Sequence, residues 1–406
     1  MIEIAVGSLF LVLLVLLLTI GLLVARNALI PQESLVVTVN DDTRIEAARG
    51  DVLLGVLQGA GLAVPAACGG KGTCGLCRVT VSGAGAGTPV ATERGILSSA
   101  ERKDNMRLAC QVNLRGTVDV SVASGVLDAE SFECTVRSNT MMAPLIRELV
   151  LDLPEGKTID FHAGAFMQLR APAYDLDFSD LEIPEPFEDT WRISGWAAMK
   201  GGSDTPVTRA YSIANRPEDA GRLVFNIRLA VPPPGQEQVT PPGIVSSYLF
   251  ALQSGDTVGA AGPFGEFHAQ PTTKDMVFIG GGVGMAPLRA LIHEQIGQGT
   301  GRRMFYFYGA RTAADLFYVE EFNQIARNHA NFSWTPALSD PAPGDRWTGE
   351  TGFIHETVRK GMSAHPAPED CEYYLCGPPV MISAVIATLE RLGVERSSIF
   401  NDDFGT

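Results

Sequence analysis

The sequence predicts a multidomain protein of the α+β and α/β classes. Its parts are an N-terminal transmembrane helix, a small mixed sheet, an antiparallel β-barrel and a parallel α/β sheet. Three observations predict this. Between Glu3 and Arg26 lie 22 residues without a charge. A glycine-diluted triple cysteine, "CGGKGTCGLC", occupies 68–77 in a strand-rich region. Beyond residue 269, strands in succession give way to strands alternating with helices, the rhythm of a parallel sheet with helical crossovers. At 406 residues the chain also exceeds what a single core usually holds.

Taken in order, the uncharged run predicts a helix of about 33 Å, enough to span a hydrocarbon core. A secretory signal would need a basic start and a shorter apolar stretch, and neither is present. Arg26 is the only flanking basic residue, which places the C-terminal bulk in the cytoplasm. The span has no ionisable group, so it anchors and conducts nothing. We assign it to 1–26, with a linker at 27–33.

The first domain is assigned to 34–127. "SLVVTVN" alternates as a strand, and "GDVLLGVLQGAG" (50–61) reads as a short helix capped by Asp51 and stopped by Gly61. Its face would be Val52, Leu53, Val56, Leu57 and Ala60. Further strands are expected at 78–82, 107–112 and 117–122. The barrel domain, 131–268, is read from closely spaced strands. It contains an acidic, aromatic insert at 173–206, too long for an ordinary loop and a candidate partner-facing surface, the alternative being a loop packed on the barrel. The α/β domain is 269–406.

Composition narrows the chemistry. A net charge of −15 argues against a polyanionic partner, so nucleic-acid binding is set aside. Seven cysteines, an odd number with one tight cluster, fit a metal site in a reducing compartment better than a disulfide framework. Cys134 and Cys371 read as structural thiols. The six histidines are scattered without metal spacing and read as structural or surface residues.

The cluster spacing is C-x5-C-x2-C, with Cys110 further on. Zinc ribbons usually carry two separated C-x2-C pairs, and only one is present. The strand-rich setting and the remote fourth cysteine favour iron–sulfur over zinc. Gly69, Gly70, Gly72 and Gly75 would let the backbone curl and point N–H groups at sulfur. The domain resembles a [2Fe–2S] ferredoxin, with a first gap closer to the adrenodoxin-like than to the plant spacing. That resemblance implies a β-grasp fold and Cys68, Cys74, Cys77 and Cys110 as cluster ligands.

Four further motifs follow: "RAYS" (209–212), "GIVSSYL" (243–249) at an expected helix start, "GGGVGMAP" (280–287) between strand and helix, and "CGPP" (376–379) at a strand end. Free N–H groups at a helix start hold phosphate well, and the strand-end edge is where such sheets bind ligands. In this order, with a near-terminal aromatic, they resemble the ferredoxin–NADP reductase superfamily over about 131–406. The resemblance implies FAD and a nicotinamide dinucleotide. Arg209 would neutralise the FAD pyrophosphate, Tyr211 pack on the flavin ring, and Gly243 and Ser246 take phosphates. Gly281, Gly282 and Gly284 would make room for the dinucleotide, and Phe404 would cover the flavin. Ser212, near flavin N5, and Cys376, lining the nicotinamide site with Gly377, would flank hydride transfer. Arg311 has no second basic residue or serine close in sequence, which favours NADH over NADPH.

Anchor, x5 cluster loop, "IPEPFEDTW" insert and "FGT" ending together resemble the F-subunit family of the sodium-translocating NADH:quinone oxidoreductases. This implies a bacterial inner-membrane complex in which NADH electrons pass through FAD and the cluster to membrane partner subunits. Quinone and sodium would be handled by those partners rather than by this chain. The alternative is an NADH-dependent reductase component serving an oxygenase.

Overall fold

The computed structural model describes residues 13–19, 21, 34–66, 68–122, 129–219, 221–233, 235–236, 239–342, 344 and 346–403. Residues 13–19 are helical and exposed. Among the described residues no helix is long and apolar enough to cross a membrane. Most of the expected span 1–26 lies outside the described residues, as does Phe404.

The first sheet is built from β1 (Ser34–Val39), β2 (Thr43–Ala48), β3 (Arg78–Ser82), β4 (Met106–Leu108) and β5 (Val118–Ser121). It is mixed, in order β2-β1-β5-β3-β4. β1 and β5 run parallel, and the other pairings are antiparallel. Leu35, Val37 and Val39 alternate into the core, as the two-residue side-chain period of a strand requires. They meet helix α1 (Leu53–Gly59) there.

Two sequence expectations about α1 are corrected. Asp51 does not cap it; its Oδ2 accepts from Ala48 N across 2.8 Å, closing the preceding turn. The buried face is Leu53, Leu54 and Leu57, while Val52 is exposed, because the helix begins one residue later and rotates the stripe. Gly61, at φ +86°, does end the segment. The expected strand 107–112 is also shorter: β4 ends at Leu108 and Ala109–Gln111 form a 3-10 turn. That turn swings Cys110 toward the cysteine loop. It is braced from beneath by Arg107, whose guanidinium pairs in bidentate fashion with the fully buried Glu93 at 2.8 and 2.9 Å.

The second sheet comprises β6 (Glu130–Ala143), β7 (Ile146–Asp152), β8 (Phe166–Ala171), β11 (Val207–Ser212), β12 (Arg222–Arg228) and β13 (Thr257–Phe264). It is antiparallel throughout, in order β11-β8-β13-β6-β7-β12. An antiparallel bridge between Ile213 and Phe225 joins its two ends, so the sheet curls shut around Leu149, Leu151, Met167, Leu169, Phe225 and Ile227.

The insert is packed on this barrel. It forms a hairpin of β9 (Tyr174–Asp177) and β10 (Lys200–Ser203), with a helix, Glu185–Ile193, between. Trp191 is buried, stacks on Phe250 at 6.0 Å and donates from Nε1 to Pro144 O at 2.6 Å. Arg147, also buried, holds the insert through Glu182 O and lies 4.6 Å over the Phe250 ring. The opposite side carries Glu185, Glu188 and Asp189, and Ile193 is 78% exposed.

The third sheet comprises β14 (Met276–Gly281), β15 (Met304–Ala310), β16 (Phe332–Leu338), β17 (Glu350–Thr351), β18 (Glu372–Gly377) and β19 (Ile399–Asp403). It is wholly parallel, in order β17-β16-β15-β14-β18-β19. β14 is buried on both faces. Met276 and Phe278 face one core, with the helix Met285–Gly297, and Val277 and Ile279 face another, with the helix Pro379–Arg391. Such two-sided burial explains the nearly continuous apolar run "MVFIGG".

Candidate functional site

The cysteine loop closes as a cradle. Gly69, Gly70, Gly72 and Gly75 all have positive φ, between 63° and 88°, a conformation that costs glycine nothing and other residues considerably. Cys68, Cys77 and Cys110 are buried, and Cys74 is half-buried. Burial pushes the Cys68 thiol up, but backbone N–H groups of Cys74, Thr73 and Gly72 outweigh it and hold it down at about 6. Cys110 is held at about 7, chiefly by a hydrogen bond from Cys77, against burial and with help from Gln111. Gln111 Nε2 lies 3.5 Å from Cys110 Sγ and 3.0 Å from Gly70 O, tying the remote cysteine to the loop. Cys74 and Cys77 are pushed the other way, Cys74 chiefly by burial and Cys77 chiefly by its hydrogen bond to Cys110. The depressed Cys68 and Cys110 are ready metal ligands, and a loop with N–H groups aimed at sulfur suits an iron–sulfur cluster. The four cysteines therefore fit that group.

The barrel supplies an anion cradle. Gly243 precedes the helix Ile244–Ala251, and a Cβ added at Gly243 would stand 2.5 Å from Ser246 Oγ. Ser246 Oγ donates to Gly243 O at 3.1 Å and accepts from Ala230 N at 3.2 Å, which ties the helix start to the segment after β12. Arg209, on β11, forms no salt bridge among the described residues; its Nη1 donates only to Thr208 O. A guanidinium without a carboxylate suits a pyrophosphate, and so does the start of a helix.

The α/β sheet supplies the second nucleotide cradle where β14 and β18 lie side by side. β14 has β15 on one side and β18 on the other, the switch point at which open parallel sheets bind ligands. A Cβ at Gly284 would stand 2.0 Å from Cys376 O, and one at Gly281 would stand 2.7 Å from Met381 Sδ. Gly282, at φ +56°, faces open space. The tight glycines let the loop press on β18, and the open one leaves room for a ligand.

The two cradles meet at Ser212, which is 6% exposed. Its Oγ donates to Asp402 Oδ2 at 3.3 Å. Asp402 lies in β19, in register with Cys376 of β18. Ser212 and Cys376, chosen from sequence, are thus joined by Asp402, which sequence reasoning missed. Its signal was position: it stands two residues before Phe404 in a terminal run not recognised as a strand.

The comparisons with known proteins agree with this layout. The chain matches a 2Fe–2S iron–sulfur cluster binding domain over residues 37–115. It matches an oxidoreductase FAD-binding domain over 196–269 and an oxidoreductase NAD-binding domain over 278–386. It is 43% identical to the F subunit of the Na(+)-translocating NADH-quinone reductase of Marinomonas sp. (strain MWYL1), with 99% of both chains covered. With the corresponding F subunit of Methylococcus capsulatus it is 44% identical over the whole of both chains. The chain belongs to the family of Na(+)-translocating NADH-quinone reductase F subunits. Among solved structures, the Amycolatopsis cytochrome P450 reductase is similar at 27% identity and a TM-score of 0.62, covering 91% of this chain and 99% of that one.

As a member of the F-subunit family the chain contains cluster-, FAD- and NAD-binding domains. The remaining sequence-predicted groups fall outside these cradles. Cys134 is buried and its thiol is pushed up to about 12 by that burial. Asp275, His365 and Cys371 bring ligand atoms within 4.8 Å of one another. Arg303 is already paired with that Asp275 and lies 3.0 Å from His365 Nε2, so a cation there would meet a guanidinium. His293 bonds Glu321 at 2.7 Å, a structural role.

Proposed function

We propose that this chain is the NADH-oxidising, electron-delivering subunit of a membrane quinone reductase coupled to sodium translocation. When bound, FAD takes a hydride from NADH and the [2Fe–2S] cluster accepts electrons singly, so that a two-electron donor feeds a one-electron carrier. The residues of the chain bind, orient and exclude water. Arg209, Gly243 and Ser246 hold phosphate, and Tyr211 presents an aromatic face. Gly281, Gly282 and Gly284 admit the dinucleotide, and Cys376 and Gly377 line its reactive end. Ser212 and Asp402 place a hydroxyl and a carboxylate where hydride passes, and no general base is needed. The observation that carries the hydride-transfer step is the hydrogen bond by which Asp402 of the NAD-binding sheet reaches Ser212 of the flavin barrel; the sodium and quinone part of the reading rests on the full-length relatives.

The uncharged run within 1–26 is proposed as a single-pass anchor in a bacterial inner membrane, with the redox domains on the cytoplasmic side. The domain limits 34–127, 131–268 and 269–406 are proposed with it. Sodium and quinone sites are assigned to partner subunits, since the run has no ionisable residue. The acidic outer side of the insert helix, with exposed Ile193, is the surface offered to a partner.

NADH is the preferred dinucleotide. Arg311, at the strand end where adenosine would lie, is paired with Asp340 at 3.1 Å. A carboxylate there opposes a 2′-phosphate. The oxygenase-reductase alternative is not favoured, because relatives matching nearly the whole chain carry the quinone-reductase name.

The test is NADH:quinone reductase activity with and without sodium, in native membranes and on the purified chain. Sodium-stimulated quinone reduction in membranes, with only artificial acceptors reduced by the isolated chain, supports the reading. Sodium-independent membranes without quinone activity overturn it.

A further inference from the structure

The cluster domain does not hang free of the barrel; it is docked on one face of it, and the contact has a specific chemistry. β8, β11 and β13 present Phe166, Gln168, Ala210, Ala261 and Phe264 on the outer side of the barrel. Against them sit Ala63 and Leu76 of the cluster domain. Ala63 precedes the cysteine loop, and Leu76 stands within it, immediately before Cys77. Gln168 is 5% exposed, and its Nε2 donates to Val64 O at 3.1 Å. Among the described residues this is the one side-chain hydrogen bond between the two domains. Nearby, Gly69 rests on Arg209 so closely that a Cβ would stand 2.3 Å from the guanidinium carbon.

We propose that this face of the barrel is the platform on which the cluster domain docks to receive electrons, and that Gln168 is its positioning residue. The proposal rests on the electron-transfer reading above. Gln168 lies in register with Ala210, between Arg209 and Tyr211 of the flavin motif. Its amide therefore ties the segment leading into the cysteine loop to β8, the neighbour of the strand proposed to hold the flavin. A buried amide directed at another domain selects one orientation, because any other docking leaves it unpaired at a cost. The apolar patch supplies attraction without direction, and Gly69 permits the close approach. A single side-chain hydrogen bond crosses the interface among the described residues, so it can open to present the cluster elsewhere after reduction.

Gln168→Leu is the first variant. It keeps an apolar-compatible volume, and Val64 O still accepts from Gln58 Nε2 at 3.0 Å, so the cluster domain loses no internal bond. Gln168→Glu is the second, because a carboxylate facing a carbonyl repels it. The full chain carrying FAD and cluster is mixed with NADH, and flavin and cluster bleaching are followed separately. Hydrogen–deuterium exchange is measured over residues 62–77. The expected result is unchanged flavin reduction, cluster reduction slowed roughly tenfold or more, and faster exchange in that segment, with Glu more severe than Leu. Unchanged exchange in both variants overturns the docking, and faster exchange with unchanged cluster reduction overturns the positioning role. If NADH leaves flavin and cluster unreduced in the unsubstituted chain, the functional reading fails instead, and exchange alone decides the docking.

Discussion

Ser212 Oγ and Asp402 Oδ2 meet at 3.3 Å although 190 residues separate them. The bond joins the last residue of β11 to the final strand of the NAD-binding sheet, so it reports whether the two domains are correctly closed. Ser212→Ala is expected to slow flavin reduction by NADH about 10²-fold, with flavin content unchanged. Asp402→Asn should act in the same direction. The double variant should be no worse than the more severe single one, since residues sharing one contact are not additive. Stopped-flow reduction, with flavin quantified in each preparation, checks this.

Cys110 stands in a 3-10 turn away from the loop and is tied to it by Gln111. Cys110→Ser is expected to remove the cluster and leave FAD binding and flavin reduction by NADH intact. Iron and sulfide content, set against flavin content, measures this. Loss of flavin along with iron would show that the cluster domain supports the barrel more than its apolar contact suggests.

Arg289 and His293 both bind Glu321, at 2.7 Å each, in the α/β domain. Arg289 also donates to Ala214 O of the barrel and lies 4.5 Å over the Tyr318 ring. Burial pushes the Glu321 carboxyl up, but His293 and Arg289 outweigh it and hold it at about 2. A carboxyl held below its ordinary range stabilises the fold above that range, and the contribution is lost as pH falls. Thermal stability should therefore drop between about pH 4.5 and 2. Glu321→Gln should lower stability by roughly 3 kcal/mol at neutral pH and flatten that acid dependence. Melting curves across the range decide it, and an undiminished acid slope in the variant would assign the dependence to other groups.

Asp340 faces Arg311 on the exposed strand end. Asp340→Ser is expected to release the guanidinium and improve kcat/KM for NADPH by about tenfold relative to NADH. An unchanged ratio would place dinucleotide selection elsewhere.

Trp191 fixes the insert through its ring stack on Phe250 and its bond to Pro144 O. Trp191→Ala is expected to cost about 3–5 kcal/mol. Limited proteolysis should then cut within 173–206 before the barrel itself opens.

Local sequence determined the cysteine cradle, the glycine loops and the three sheet types. Each depends on something short-ranged: positive φ at Gly69 to Gly75, side-chain alternation along β1, continuous apolar character along β14. It failed where a choice depended on distant neighbours. Asp51 has the chemistry of a helix cap, yet the turn carrying Ala48 claims its carboxylate. The insert is acidic in composition, but Trp191 is held by Pro144 and Phe250, so one of its sides is core. Asp402 carries no motif of its own. Only the parallel pairing of β19 with β18 sets it in register with Cys376, and only the closure of barrel against sheet brings it to Ser212. Gln168 is an ordinary strand residue until the cluster domain places Val64 O against it. Spacing decided which groups this chain can hold; the meeting of three domains decided where they face one another, because long-range contacts are set by packing and leave no periodicity along the chain.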